Sequence, residues 1–153
     1  MTEVHIRDAV ADDCETIAGF QEAMALETEG KPLGATLIRD GVSNAFADPD
    51  KGFYLLAETD GTVAGSLFVT KEWSDWRDGW FWWIQSVFVP TQFRRRGVYR
   101  ALHQEVRARA KAKGGVIGIR LYVERENDRA QETYRTVGMS ATPYLLFEEE
   151  FDR

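Results

Sequence analysis

Cysteine is almost absent. Cys14 is the only one in 153 residues, so no disulfide can form within the chain. A reducing, cytoplasmic setting is the expectation that follows. Histidine is scarce too: His5 and His103 are the only two. They stand far apart, neither has metal-ligand spacing, and no metal site is expected. No apolar run approaches the roughly 20 residues that cross a bilayer. The opening Met1-Thr-Glu-Val-His-Ile-Arg-Asp lacks the basic-then-apolar layout of a signal peptide, and no membrane partner is expected. Positive charge is in deficit: 19 Lys and Arg stand against 25 Asp and Glu, for a net charge of −6. That balance argues against a nucleic-acid partner, which selects basic domains. Repeats and low-complexity segments are missing as well.

What the chain does have is the length for one domain, residues 1–153, with one good core. Its positive charge is concentrated. Between Arg94 and Lys113 there are eight Lys or Arg and a single acid, Glu105. A locally basic segment in an acidic chain suits a phosphate-bearing ligand.

Periodicity orders the elements. Val4-His5-Ile6-Arg7 alternates and reads as a strand. A helix capped by Asp12 and Asp13 runs to about Leu26, and residues 27–32 form a polar break. A second helix is expected from about Leu33 to Phe46, then a turn over residues 48–52. Phe53–Glu58 and Val63–Thr70 flank Asp60-Gly61, a strong hairpin signal. Trp80–Val89 is apolar at nearly every position and reads as a strand buried on both faces. A helix from about Arg95 to Lys113 carries Val98, Leu102, Val106 and Ala110 in one stripe and ends at Gly114-Gly115. A buried strand over Val116–Val123, a short helix over Asn127–Val137 and a last strand over Tyr144–Glu149 complete an α/β order.

The centre of this order is the stretch from Gln85 to Leu102. An apolar strand stops at Pro90, which cannot donate to a ladder. Arg94-Arg95-Arg96-Gly97-Val98-Tyr99 then leads into a helix. The first turn of a helix carries unpaired N–H groups and partial positive charge, both of which suit phosphate. This stretch resembles the acetyl-CoA motif of the GNAT N-acetyltransferases, in which Arg/Gln-x-x-Gly-x-Gly/Ala opens a helix. Tyr99 stands where that family usually has Gly or Ala; the reading here turns its ring into the core beneath the loop. A second stretch strengthens the resemblance. Asn127, Ala130, Tyr134, Gly138 and Met139 fit the family pattern Asn-x-x-Ala-x-x-x-Tyr-x-x-x-Gly-Phe/Met at every fixed position.

The resemblance implies a single-domain α/β GNAT fold: a mixed sheet of six to seven strands, about four helices, and a sheet splayed after its fourth strand. It implies acetyl-CoA as cosubstrate. Val87, Phe88 and Val89 would offer backbone groups to pantetheine. Arg94, Arg95, Arg96, Gly97, Val98, Tyr99 and Arg100 would wrap the pyrophosphate, and Asn127 would meet the pantetheine or thioester end. Tyr134 would be the general acid toward the departing thiolate. The activity implied is direct, ternary-complex N-acetyl transfer to a primary amine of a small, cationic acceptor. Homodimers occur in the family.

The general base stays open. The strand before the loop carries Gln85 and Ser86, which can orient a water, and no carboxylate. Glu27, Glu29, Glu72 and Asp75 read as loop carboxylates on the acceptor side. Trp73 and Trp83 are candidates for an aromatic contact with a cationic acceptor; Glu27, Glu29 and Gln85 join them as acceptor candidates. The missing strand carboxylate and Tyr99 leave one rival reading, a non-catalytic acyl-CoA sensor or interaction module on the same fold.

Overall fold

Asp60 and Gly61 both adopt positive φ, 52° and 75°, the two-residue geometry that matches strand twist in a hairpin. Around such turns the chain builds one five-stranded sheet in the order β1-β2-β3-β4-β5. The structure, a computed structural model, describes residues 3–30 and 34–152. Its contacts divide into two compact units, one ending at Leu121 and one beginning at Tyr122.

The first unit holds β1 (His5–Asp8), α1 (Cys14–Glu29), α2 (Ala35–Ala47), β2 (Phe53–Thr59), β3 (Thr62–Ser74), β4 (Gly79–Phe88), α3 (Val98–Lys113) and β5 (Val116–Arg120). The first four strands are antiparallel neighbours, and β5 runs parallel to β4. The entry to α1 is pinned by Asp13, whose carboxylate accepts from Arg7 Nη1 and Nη2 at 2.8 and 3.0 Å and from the Val10 N–H at 2.8 Å. The Arg7 guanidinium holds that carboxyl below its usual range. Gly30, at φ 71°, closes α1 with its N–H on the Leu26 carbonyl.

Side chains alternate across each strand, so register sorts them onto two faces. One face carries Tyr54, Leu56 and Phe68, which pack with Ile17 and Ala18 of α1 and Ile38, Val42 and Ala45 of α2. The other carries Leu55, Leu67, Val69, Trp82 and Ile84, and α3 crosses it, presenting the buried Leu102, Val106 and Ala110. Leu55, Leu56, Leu67 and Leu102 are fully buried; each contributes about 1.5–3 kcal/mol of hydrophobic stabilisation.

The second unit contains α4 (Asp128–Thr136). Asn127 caps it, its Oδ1 accepting from the Ala130 N–H at 3.1 Å.

Several sequence expectations change. The sheet has five strands, not six to seven, because residues 144–149 form no strand among the described residues. An apolar β-prone run becomes a strand only with a ladder partner. The expected strand Val116–Val123 ends at Arg120, and α1 continues through the expected polar break to Glu29. Leu33, the expected start of the second helix, lies outside the described residues. Strand β4 is not buried on both faces: Trp82 and Ile84 are buried, whereas Phe81, Trp83 and Gln85 are half-buried and Trp80 is exposed. Helix α3 begins at Val98 rather than Arg95, since Arg95 and Gly97 take positive φ of 63° and 78°.

Candidate active site

Strand β4 is the spine of the site. Its pairing with β5 runs from Trp80 opposite Val116 to Trp83 opposite Arg120. Strand β4 then continues to Phe88, past the last paired residue of β5. On its other side the register with β3 shifts, with Phe68 facing Gln85 and Ser66 facing Phe88. Ser86 and Val87 therefore oppose the single residue Leu67, which is a bulge, and Ser86 adopts φ 54°. A non-glycine residue held at positive φ is a local strain of the kind that accumulates at working sites. No residue type in the sequence marked it.

Beyond Pro90, a short turn over Thr91–Phe93 leads to Gly97, the N-cap of α3. Positive φ at Gly97 suits glycine, and no side chain caps the helix. The first helical acceptor bond is Ala101 N–H to Gly97 O at 3.0 Å; the turn before it, which opens at Val98, is the part of a helix whose N–H groups and partial positive charge suit an anion. The loop sits tightly on the sheet. A Cβ on Gly65 of β3 would lie 3.0 Å from Val98 Cγ1 and 3.1 Å from the Phe88 carbonyl oxygen. Tyr99 is buried, and its hydroxyl lies 2.9 Å from His103 Nδ1. Its ring thus turns into the α3 core rather than toward the loop.

The three arginines divide. Arg95 and Arg96 are exposed. Arg94 is tied to protein: its Nε donates to the Val89 carbonyl at 2.7 Å, and its Nη2 donates to both oxygens of Glu27 at 3.0 and 2.8 Å. Glu27, an acceptor candidate in the sequence, is thereby the α1 end of a clasp on the loop. Glu29 is the last residue of α1, and its side chain lies outside the described residues.

On the face beyond α1 and α2, polar groups cluster. Glu72 lies in β3, not in a loop. Its Oε1 accepts from Trp83 Nε1 at 2.9 Å and Arg120 Nη1 at 3.0 Å. The Arg120 guanidinium carbon lies 3.6 Å from the centroid of the Phe81 ring. Gln85 Nε2 donates to Thr70 Oγ1 at 2.6 Å. Trp73 belongs to the opposite face, edge-on to Trp80 at 5.1 Å, so Trp73 and Trp83 do not form one aromatic wall. Arg120 carried no signal in the sequence; only pairing of β5 with β4 brings it to Glu72.

In the second unit, Asn127 is exposed and spends its Oδ1 on the helix cap, which leaves its Nδ2 as donor. Tyr134 is half-buried on α4, and burial pushes its phenol above the ordinary value of 10. It therefore stays protonated at neutral pH. No group of His, Cys, Asp and Glu that could hold a metal ion occurs among the described residues, and no described helix is long and apolar enough to cross a membrane.

Comparison with known proteins agrees with this geometry. Residues 22–139 match the Acetyltransferase (GNAT) family. A possible acetyltransferase from Clostridium difficile 630 is 38% identical, with a TM-score of 0.89 over 98% of this chain and 99% of that one. The aminoglycoside N-acetyltransferase AAC(6')-Iy in complex with CoA shares the fold at 18% identity, with a TM-score of 0.80 over 98% and 96% of the two chains. A ribosomal-protein-alanine N-acetyltransferase from Brucella melitensis biovar Abortus 2308 does so at 15% identity, with a TM-score of 0.77 over 97% and 100%. No curated protein sequence matches. The free length of β4, the glycine-capped start of α3 and the family match over most of the chain agree: this chain belongs to the GNAT acetyltransferase family and is an acyltransferase with acetyl-CoA as its cosubstrate.

Proposed function

We propose that the chain is an N-acetyltransferase that moves an acetyl group to a primary amine of a small, cationic acceptor by direct attack in a ternary complex. The observation that carries this reading is the continuity of β4 and α3. The stretch of β4 beyond β5 runs straight into a loop that opens a helix at Gly97, with no side chain capping it. One feature offers backbone groups to the pantetheine amides, and the other cradles a pyrophosphate. The sheet is read as splayed at this point, and the two units as one catalytic domain, since the family match crosses their boundary.

Acetyl-CoA supplies an activated thioester; the chain's residues do the rest. Backbone groups of Val87, Phe88 and Val89 align the pantetheine arm, and an N–H at the Ser86–Val87 bulge polarises the acyl carbonyl. Backbone N–H groups from Arg95 to Arg100 hold the pyrophosphate, with Arg94 bracing the loop. Asn127 donates its Nδ2 near the thioester end. Tyr134 Oη carries the proton that the departing thiolate takes. Gln85 orients a water that takes the proton leaving the amine and passes it to bulk solvent. Catalysis is mostly the positioning of two substrates. Cys14 has no part in the scheme; burial raises its thiol pKa. The working form is read as a homodimer in the cytoplasm.

The test is thiol release from acetyl-CoA against a panel of primary amines. Transfer to cationic amines is expected. Saturable acetyl-CoA binding without release for any amine would favour the sensor reading.

A further inference from the structure

Glu72 and Arg120 form more than a surface ion pair. Trp83 Nε1 adds a third bond to Glu72 Oε1, and the Phe81 ring lies against the guanidinium. Both charged groups are therefore held in one orientation, on the sheet face that α1 and α2 leave open. Each is only partly used. Among the described residues, Glu72 Oε2 accepts no hydrogen bond, and Arg120 Nε and Nη2 donate none. Their side chains are 44% and 28% exposed, so a solute can reach both. The pair presents a fixed carboxylate oxygen beside fixed guanidinium donors, with no net charge.

Such a pair discriminates by charge pattern. A simple cation is drawn to Glu72 but repelled by Arg120, and a simple anion meets the reverse. A group with an ammonium and a carboxylate on adjacent atoms satisfies both at once, since guanidinium donors suit a carboxylate fork. Strand geometry sets the reach. From the level of Trp83 to Gln85 is two residues and to Val87 four, or about 7–13 Å along β4. The side chain of a basic amino acid spans the lower part of that interval.

We infer that Glu72 and Arg120 hold the α-amino-acid head of the acceptor, so that the amine acetylated is the side-chain amine of a free diamino acid. This rests on the proposed N-acetyltransferase reading and narrows its acceptor class. The head binds with its ammonium on Glu72 Oε2 and its carboxylate on Arg120. Trp83 acts as a positioning residue, with its indole N–H spent on Glu72 rather than on the acceptor. Gln85, tied to Thr70, lies between this clamp and the bulge.

The experiment compares matched amines with and without a carboxylate: L-lysine against cadaverine, and L-ornithine against putrescine. Wild-type kcat/KM is expected to favour the amino acid of each pair by roughly ten- to a hundredfold, the worth of one charge-assisted bond. Arg120→Met should erase that preference through KM, raising KM for the amino acids and lowering it for the diamines, which no longer meet a like charge. Glu72→Gln should weaken all four acceptors through KM, because both kinds carry a distal ammonium. Unchanged acetyl-CoA binding shows that the variants are folded. Equal or better use of the diamines by the wild type overturns the inference while leaving N-acetyl transfer intact. If no amine is acetylated, the transfer reading fails separately. Calorimetry of L-lysine with the CoA-saturated protein then decides: binding lost in Arg120→Met supports the clamp, and no binding by the wild type overturns it.

Discussion

Arg94 grips both carboxylate oxygens of Glu27 at 3.0 and 2.8 Å while its Nε holds the Val89 carbonyl at 2.7 Å. One side chain thus links the end of α1 to the strand and loop on either side of Pro90. The Arg94 and Glu27 side chains are 37% and 46% exposed, so the pair adds less than about 1 kcal/mol to stability. Its effect belongs to loop order. Arg94→Ala is expected to weaken acetyl-CoA binding by about three- to tenfold with little change in Tm. Glu27→Gln should have a smaller effect that fades as salt rises. Calorimetric titration with acetyl-CoA at two ionic strengths checks both, and unaltered affinity in Arg94→Ala would count against the clasp.

Tyr134→Phe removes one hydroxyl and is expected to lower kcat by roughly 10²–10⁴ at nearly constant acetyl-CoA affinity. Burial raises the phenol pKa above its ordinary value, so any alkaline loss of wild-type kcat from this residue should fall at higher pH than a free phenol would give. Stopped assays across pH, with wild type and variant side by side, measure it. A variant within twofold of wild type would remove Tyr134 from the acid role.

His103 is fully buried between Tyr99 and Arg107, and burial lowers its pKa from 6.5 to about 4. The folded state thus favours neutral imidazole, while the unfolded chain binds a proton below 6.5. Stability from this group is complete above 6.5 and is lost as pH falls toward about 4. The full loss is roughly 3 kcal/mol. Urea unfolding of wild type and His103→Gln between those pH values tests this. The variant should have the flatter profile, and parallel profiles would exclude His103 as the cause.

Gly65 leaves little space for a side chain: its Cβ would meet Val98 Cγ1 at 3.0 Å, the Phe88 oxygen at 3.1 Å and Val89 Cγ2 at 3.3 Å, so these neighbours would have to give way. Gly65→Ala should cost about 1–3 kcal/mol of stability and weaken acetyl-CoA binding, because the added methyl pushes on β4 and the start of α3 together. Gly65→Val should do both more strongly. Thermal melts with and without acetyl-CoA read the two effects; a stable variant with normal affinity would show that the contact yields easily.

Tyr144, Leu145 and Leu146 are each 69% exposed and Phe147 is 89% exposed. Four consecutive apolar residues in water favour association with another surface. If the homodimer forms through this segment, Leu146→Lys should shift it to monomer in light scattering at micromolar protein. A wild type that is monomeric throughout would rule the dimer out, and a dimer that survives the substitution would move its interface elsewhere.

Much was legible in the chain itself. Pro90 and the helical stripe from Val98 to Ala110 mark strand end and buried face by local stereochemistry, and both stand where expected; the helix itself starts three residues later than expected, after Gly97. Asp60-Gly61 likewise specifies its hairpin, because few residues accept positive φ. The two motifs at Arg94–Tyr99 and Asn127–Met139 identify the family, since they depend on local backbone and on spacing within one helix.

What the sequence could not determine depends on partners distant in the chain. Tyr144–Glu149 has strand chemistry without a strand, because β structure needs a second chain segment to take its hydrogen bonds. The bulge at Ser86 arises from the register of β4 against β3, and serine carries no local mark of it. Arg94 reads alone as a phosphate ligand; folding sets Glu27 beside it and turns it into a brace. Glu72 reads as one more loop carboxylate until β3, β4 and β5 align it with Trp83 and Arg120. Local residue chemistry therefore determined the helix caps, the turn and the family, while the charges at the site took their roles from strand register, which only the folded sheet sets.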